Sequence, residues 1–229
     1  MNDSFDPGLV RRKATAMRIA ILKMLALAGS GHPGGSLSAT DIVATLYFGA
    51  VLRYLPDDVN WPQRDRFILS KGHAAPVQYA ALAAAGIIDP RELKGLRQLG
   101  RMLQGHPDAS KTPGVEVSTG SLGQGLSIAC GLTQGLKRKG TTADDGRTPS
   151  VYVLLGDGEL QEGQVWEAAM YAAHYGLDNL VAIVDRNGLQ IDGETERVMA
   201  VGDVAAKFAA FGWETAEVDG HDVVALHEA

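Results

Sequence analysis

The chain has 229 residues, a formal net charge of −6, and 45% apolar residues of which few are aromatic. This length allows one large α/β domain with a well-buried core. The negative charge argues against a nucleic-acid surface. No apolar run approaches the roughly 20 residues of a membrane span, and the first residues are not typical of a signal peptide. The single cysteine, Cys130, lies among apolar residues. It is therefore expected to be a core thiol, which favours a reducing cytoplasm as the location.

The first half of the chain predicts helices, loops and one short strand. Apolar residues at helical spacing between Val10 and Leu25 predict a helix that ends at Gly29. Ser38 and Asp41, three residues apart, predict the capping box of a second helix. Further elements are expected as a strand at 66–70, an alanine-rich helix that ends at 85, and a helix at 90–99 that begins with proline.

The second half alternates buried strands with helices. The apolar runs 151–155 and 180–184 predict two parallel strands, with a helix at 164–175 between them. The other elements are expected as a helix that opens at 119–125 and runs to about 139, a long functional loop at 185–202, a helix at 203–211, a strand at 213–218, and a last helix from 222. This alternation predicts an α/β fold with a doubly wound, mostly parallel sheet and helices on both faces.

The ends of the two predicted strands carry oxygen ligands. Gly156-Asp157-Gly158 follows the first strand, and Asn187-Gly188-Leu189 follows the second. Ligands of open α/β sheets bind at such carboxyl ends. The Asp157 carboxylate, the Asn187 amide oxygen and a backbone carbonyl near Leu189 suit Mg²⁺ or Ca²⁺, whose shell a diphosphate would complete. Gly-Asp-Gly alone is common in ordinary turns, so the prediction depends on the combination of both strands and both turns.

Three histidines follow a glycine in predicted loops, namely His32, His73 and His106. A single loop histidine is more often a solvated or capping residue than a catalyst. Three in the same setting favour a shared site, because glycine beside a histidine leaves a ligand room to approach. Imidazole titrates near neutrality and can give and take protons as a carbonyl compound reacts.

These motifs resemble the signatures of the transketolase family of thiamine diphosphate enzymes. The matching stretches are Ser-Gly-His-Pro-Gly-Gly at 30–35, Ser-Lys-Gly-His-Ala at 70–74, Gly-His-Pro at 105–107, Ser-Thr-Gly-Ser-Leu-Gly-Gln-Gly at 118–125, and the Gly-Asp-Gly turn followed by Asn187. They occur in the family's order and cover essentially the whole chain. The resemblance implies one thiamine diphosphate-binding domain of the diphosphate type over residues 1–229, with the cofactor held through Mg²⁺ (or Ca²⁺).

The resemblance also implies roles for individual residues. His32, His73 and His106 would contact the hydroxyls and carbonyl oxygen of a sugar. Glu162 would join a carboxylate network that reaches a neighbouring active site, although an acidic residue in the first turn of a helix is also favoured by the helix dipole alone. The residues implied in cofactor binding are His73, Gly120, Ser121, Leu122, Gly156, Asp157, Gly158, Glu162 and Asn187, and those implied in metal binding are Asp157, Asn187 and Leu189.

A whole transketolase also has a pyrimidine domain and a C-terminal domain, to which nothing in this sequence corresponds. The chain thus resembles the amino-terminal subunit of a split transketolase, which implies a partner chain that supplies the pyrimidine domain, in a hetero-oligomer such as α2β2. The implied reaction transfers a two-carbon ketol unit from a ketose phosphate to an aldose. Two alternatives stay open: a subunit of a synthase or dehydrogenase that decarboxylates 2-oxo acids, and a non-catalytic module that binds thiamine diphosphate or a metal.

Overall fold

The computed structural model describes residues 4–143, 146–191 and 193–229. Its centre is a parallel sheet of three strands in the order β1 (Arg66–Leu69), β2 (Val151–Gly156) and β3 (Leu180–Asp185). Leu69 pairs with Leu154, and Gly156 pairs with Asp185. Parallel pairing brings the carboxyl ends of all three strands to one edge, which is the edge where the sequence places its polar motifs.

Both faces of the sheet are buried because the strand side chains alternate between two apolar clusters. Val153 and Leu155 of β2 belong to one cluster, whereas Leu154 belongs to the other. The cluster with Leu154 also holds residues of α1 (Pro7–Ala28), α3 (Thr40–Phe48), α4 (Ala75–Ala84) and α9 (Val223–Glu228). The cluster with Val153 and Leu155 holds residues of α5 (Gln124–Lys139), α6 (Gly163–His174) and α8 (Val204–Ala210). The predicted parallel sheet with helices on both faces is confirmed.

Local signals explain how several helices begin and end. The Asp6 side chain accepts hydrogen bonds from the backbone N–H groups at the start of α1, and Gly29 ends this helix at φ 62°. Asp222 caps α9 in the same way. The thiol of Cys130 is buried in α5, as predicted. None of the described helices is long and apolar enough to cross a membrane.

Short elements lie between these units and carry several of the motifs. Three 3₁₀ helices follow β1, α4 and β2, at Gly72–Ala74, Pro90–Gly95 and Gly158–Gln161. The helix α2 covers Pro33–Ser38. The predicted loop at 185–202 contains a small antiparallel hairpin, β4 (Leu189–Gln190) and β5 (Gly193–Glu194), and the helix α7 (Thr195–Met199).

Three sequence predictions about elements are wrong. No side chain caps α3, and the Ser38 hydroxyl donates instead to Asp185 Oδ1 at 2.8 Å, a tertiary partner that outcompetes the local capping box. The predicted helix at 90–99 is only the 3₁₀ segment that ends at Gly95, and Arg97 has a positive φ of 61°. Residues 213–218 form no helix or strand and pair with no strand in the described chain. The Trp213 indole N–H donates a hydrogen bond to the Ala169 carbonyl.

Candidate active site

The turn after β2 is tied to the loop after β3 by the carboxylate of Asp157. This side chain is 2% exposed. Its Oδ1 accepts the N–H of Gly158, and its Oδ2 accepts the N–H of Gly188, both at 2.8 Å. The Thr195 hydroxyl also donates to Oδ2 at 3.0 Å. The Gly-Asp-Gly turn and the Asn-Gly loop, which are thirty residues apart in sequence, therefore meet at one carboxylate.

The three residues of the predicted metal set lie at this meeting point. The Asn187 side-chain oxygen accepts the N–H of Leu189 at 3.0 Å, and Leu189 begins β4. A carboxylate oxygen and an amide oxygen each accept up to two hydrogen bonds, so Asp157 Oδ1 and Asn187 Oδ1 each keep one lone pair. The described residues contain no group of three His, Cys, Asp or Glu side chains that could hold a metal. A single carboxylate with neutral oxygens fits a hard cation whose other ligands are phosphate oxygens and water.

Glycines bring the walls of the site close together. A Cβ atom on Gly120, which has φ 151°, would lie 3.2 Å from ring carbons of His106. A Cβ on Gly72 would lie 2.8 Å from the backbone nitrogen of Gly120. A Cβ on Gly158 would lie 3.0 Å from the Gln190 side-chain oxygen. The glycine-rich segment before α5 thus contacts both the turn after β1 and the His106 loop, as a shared site requires.

The structure brings the three predicted histidines together. The rings of His32 and His73 meet edge to face with centroids 5.5 Å apart, and His106 packs at Gly120. Burial, the Lys71 ammonium, and the other two histidines together lower the pKa of His73 to about 4. Burial and the positive charge of Arg97 also lower the pKa of His106. His73 and His106 are therefore held as neutral imidazoles, which can both donate and accept a proton.

Two buried polar groups at this edge were missed by the sequence reasoning. The Glu159 carboxylate accepts the N–H of Gly123 at 2.9 Å, the N–H of Gly156 at 3.0 Å, and the Ser70 hydroxyl. It therefore joins the ends of β1 and β2 to the start of α5. Burial raises the pKa of Glu159 against the opposing effect of these hydrogen bonds. The second missed group is Lys71, which forms a buried ion pair with Asp185.

The remaining predicted residues line the same region. Glu162 is the exposed residue before α6, where the helix dipole favours an acidic side chain, and it makes no capping hydrogen bond. The Cβ atom of Glu162 lies beside Gly123, and a Cβ atom on Gly123 would be only 2.6 Å from it. Ser121 is exposed and Leu122 is half-buried, both just ahead of α5. The individual roles of these residues stay predictions.

Comparison with known proteins identifies similar chains. A family model for the thiamine diphosphate-binding domain of transketolase matches residues 10–229. The chain is 40% identical over 213 residues to a 6-deoxy-6-sulfo-D-fructose transketolase subunit of Clostridium sp. strain MSTE9, and the match covers 93% of this chain and 75% of that protein. It is 43% identical over 222 residues to an apulose-4-phosphate transketolase subunit of Actinobacillus succinogenes, and this match covers 97% of this chain and 78% of that protein.

Longer transketolases match over a smaller share of their own length. Human transketolase is 44% identical over 216 residues, which is 94% of this chain and 34% of the human protein. The solved structure of transketolase from Leishmania mexicana superposes with a TM-score of 0.89 at 35% identity, over 96% of this chain and 33% of that one. The chain therefore spans about three quarters of the two bacterial subunits and about a third of these longer proteins.

Proposed function

The chain belongs to the transketolase family of thiamine diphosphate-dependent transferases, and we propose that it is the diphosphate-binding subunit of a two-chain transketolase. Residues 1–229 then form one thiamine diphosphate-binding domain, and a partner chain supplies the pyrimidine and C-terminal domains in a cytoplasmic hetero-oligomer such as α2β2. Two relatives that are themselves named transketolase subunits support this assignment, because this chain aligns over most of their length.

The proposed reaction moves a two-carbon ketol unit from a ketose phosphate to an aldose acceptor. The chemistry that thiamine diphosphate supplies when bound is that of a carbon nucleophile and an electron sink. This chain contributes the position of the diphosphate, the metal site, and groups that exchange protons with the sugar. Because the chain carries a negative net charge, an anionic cofactor needs local positive charge at the site, and a divalent cation would supply part of it.

The cofactor-binding roles follow from the strand-end geometry. Asp157, Asn187 and the carbonyl of Leu189 would hold Mg²⁺, which in turn would hold the diphosphate beside the Gly-Asp-Gly turn. The glycines of this turn leave the diphosphate room to approach the metal, while the N–H groups of Gly156 and Gly158 are already bonded to the carboxylates of Glu159 and Asp157. The remaining residues proposed to line the cofactor are His73, Gly120, Ser121, Leu122, Gly156, Gly158 and Glu162.

The three histidines are proposed to exchange protons with the sugar. A ketol transfer needs a proton removed from one hydroxyl and returned to another oxygen as carbon–carbon bonds break and form. His32, His73 and His106 converge from three separate segments of the chain. Because the surroundings favour the neutral form of His73 and His106, each can accept a proton at neutral pH. This supports chemistry on a polyhydroxylated substrate rather than simple retention of the cofactor.

One observation carries the proposal: the Asp157 carboxylate joins the Gly-Asp-Gly turn to the Asn-Gly loop at the same sheet edge as the histidines. Asp157→Ala should reduce the Mg²⁺-dependent affinity for thiamine diphosphate at least about 100-fold, because even outer-shell partners of metal ligands contribute about 10–100-fold. Isothermal titration with and without Mg²⁺ measures this affinity. The surface carboxylate of Asp178, paired with Lys137, gives the matched control Asp178→Ala, which should bind normally.

The two-chain part of the proposal needs its own assay. The chain should transfer ketol units only after it is mixed with a transketolase chain that carries the pyrimidine domain. Transfer by this chain alone would contradict the need for a partner. Release of CO₂ from pyruvate by the mixture, without ketol transfer, would favour the decarboxylating alternative. Full activity of His73→Ala and His106→Ala variants would instead favour a binding module.

A further inference from the structure

Lys71 is a buried lysine at the centre of the proposed site. Its side chain is 1% exposed, although lysine is rarely buried without a reason. Asp185 at the end of β3 is its ion-pair partner. The Ser38 hydroxyl of α2 fixes the other oxygen of that carboxylate. The end of β1, the end of β3 and α2 are thus joined through one ammonium–carboxylate pair.

This pair is unlike a stabilising element of the core. A buried ion pair recovers little more than the cost of removing two charges from water, so it is weak evidence for stability. An ammonium group also has three N–H donors, and Asp185 is the acceptor that the described part of the chain provides. Burying this positive charge costs free energy, which indicates a role other than stability. The groups around the ammonium show what that role is.

The Lys71 ammonium and the His73 ring both lie beside Gly35. A Cβ atom on Gly35 would lie 3.3 Å from His73 Nε2 and 3.6 Å from Lys71 Nζ. Both groups therefore approach the same glycine, and a side chain at this position would contact both of them. Both come from the segment just after β1, and the ion pair with Asp185 stops the ammonium from turning towards water.

Burial has the largest effect on the pKa of His73 and lowers it, and four ionisable groups also act on the ring from the surrounding elements. They are Lys71 from its own segment, His32 from the start of α2, His106 from the loop before α5, and Asp185 from β3. Lys71 and the two histidines disfavour a positive charge on the ring, whereas Asp185 favours one. Asp185 thus has two opposed effects, because it also holds Lys71 in place.

We propose that Lys71 is a positioning residue that acts together with burial to keep His73 in its neutral form, and that Asp185 and Ser38 hold the ammonium where it can do so. The ammonium repels the proton that would convert the imidazole to imidazolium, so His73 stays free to accept a proton from a substrate. The use of His73 as a proton acceptor depends on the proposed function, but the effect of Lys71 on its protonation can be measured without any ligand.

The test is an NMR titration of the His73 ring in the full chain without cofactor or metal, assigned with a His73→Gln variant. Lys71→Gln removes the charge but can still donate a hydrogen bond to Asp185, and it should move the His73 midpoint to higher pH. Lys71→Arg keeps the charge and should restore the low midpoint. The surface variant Lys137→Gln is the control and should leave His73 unchanged.

Lys71→Arg also separates a charge effect from general loosening, because both substitutions at Lys71 disturb the packing and only Lys71→Gln removes the charge. A midpoint raised equally in Lys71→Gln and Lys71→Arg would show that water has reached the ring, and that result would overturn the proposal. An unchanged midpoint in Lys71→Gln would also overturn it. Circular dichroism establishes that each variant is folded, and if Lys71→Gln does not fold, Lys71→Met removes the same charge and is subject to the same comparison.

A measurement on the assembled enzyme distinguishes this inference from the proposed function. The acid limb of the pH profile of kcat should move to higher pH in Lys71→Gln, so that activity falls several-fold at pH 6 relative to pH 8, about the factor expected of a group that becomes mostly protonated. If the NMR midpoint moves and the acid limb does not, the effect of Lys71 stands and the proton-accepting role of His73 fails.

Discussion

Charged residues are buried at both ends of the parallel sheet, but their hydrogen-bonding capacity is filled at one end and only partly used at the other. At the amino-terminal end, the Asp65 carboxylate accepts four hydrogen bonds, two on each oxygen, from Arg53 and from the N–H of Ser150. This fills the capacity of a carboxylate. At the carboxyl-terminal end, Asp157 Oδ1 keeps a lone pair and the Lys71 ammonium has donors beyond its bond to Asp185.

The difference separates a structural network from a site prepared for a ligand. Buried charges whose hydrogen-bonding capacity is filled make the surrounding structure rigid, and they have no capacity left for a ligand. Partly satisfied charges are costly, and they persist where a ligand completes them. Similar residue types at the two ends of β1 and β2 thus form a satisfied network at one end and, in the proposed function, a binding site at the other.

The largest expected effect comes from breaking the satisfied network. Asp65→Ala should lower the free energy of unfolding by about 3–5 kcal/mol, the usual cost of removing one partner of a buried ion pair. It removes the carboxylate that accepts hydrogen bonds from the Arg53 guanidinium and from the Ser150 N–H. Urea denaturation measures the change, and Asp178→Ala is the surface control with little effect. Folded Asp65→Ala protein should still bind thiamine diphosphate with Mg²⁺, and a selective loss of binding would contradict the division between the two ends.

A smaller effect is expected from substitution of Glu159. Its carboxylate lies at the carboxyl-terminal end of the sheet, but both of its oxygens accept hydrogen bonds. Glu159→Gln keeps the shape and replaces one acceptor with an N–H₂ group, so one of the N–H donors of Gly123 and Gly156 loses its partner. Such a loss lowers the free energy of unfolding by about 1–3 kcal/mol. It should also weaken cofactor binding, because Gly123 ends the segment proposed to contact the cofactor. The exposed neighbour Glu167 provides the control Glu167→Gln, which should change neither quantity; equal effects in both variants would rule out this role.

The smallest expected effect is a pH dependence of stability from His73. Its pKa is about 4 in the folded chain, against 6.5 as the usual value. As the pH falls from 6.5 towards 4, the unfolded chain takes up this proton before the folded chain does, so His73 destabilises the fold progressively over that window. The free energy of unfolding of wild type should therefore fall more between pH 7 and pH 5 than that of His73→Gln. Equal slopes in urea denaturation would show that the ring is not held neutral.

Much of the fold was predictable because it depends on local signals. The apolar runs at 151–155 and 180–184 indicate buried strands by themselves, and Asp6, Gly29 and Asp222 act on neighbouring backbone groups. The meeting of Asp157 with the Asn-Gly loop was also predictable, since parallel strands carry their ends to one edge. Convergence of the three histidines needed only the repeated Gly-His pattern.

What sequence reasoning missed depends on pairs that are distant in sequence. The bond from Ser38 to Asp185 joins residues 147 positions apart, and a local capping box looked equally suitable for Ser38. Glu159 reads as an ordinary acidic residue after a turn, and Lys71 as an ordinary charge after a strand. Residues 213–218 have the composition of a strand but pair with none of the described strands. Local composition does not show whether another strand lies beside a segment.

The pairing of β1 with β2 also sets the order in which the molecule can assemble. Arg66 pairs with Val151, and more than a third of the chain lies between these two residues. This segment must be synthesised, and its ends brought together, before β1 and β2 can pair. Pairings of such long range form slowly, after the local helices. The ligand-binding edge, which needs all three strands, is therefore completed at the end of folding. A newly made chain is therefore expected to acquire its cofactor only after its core is in place.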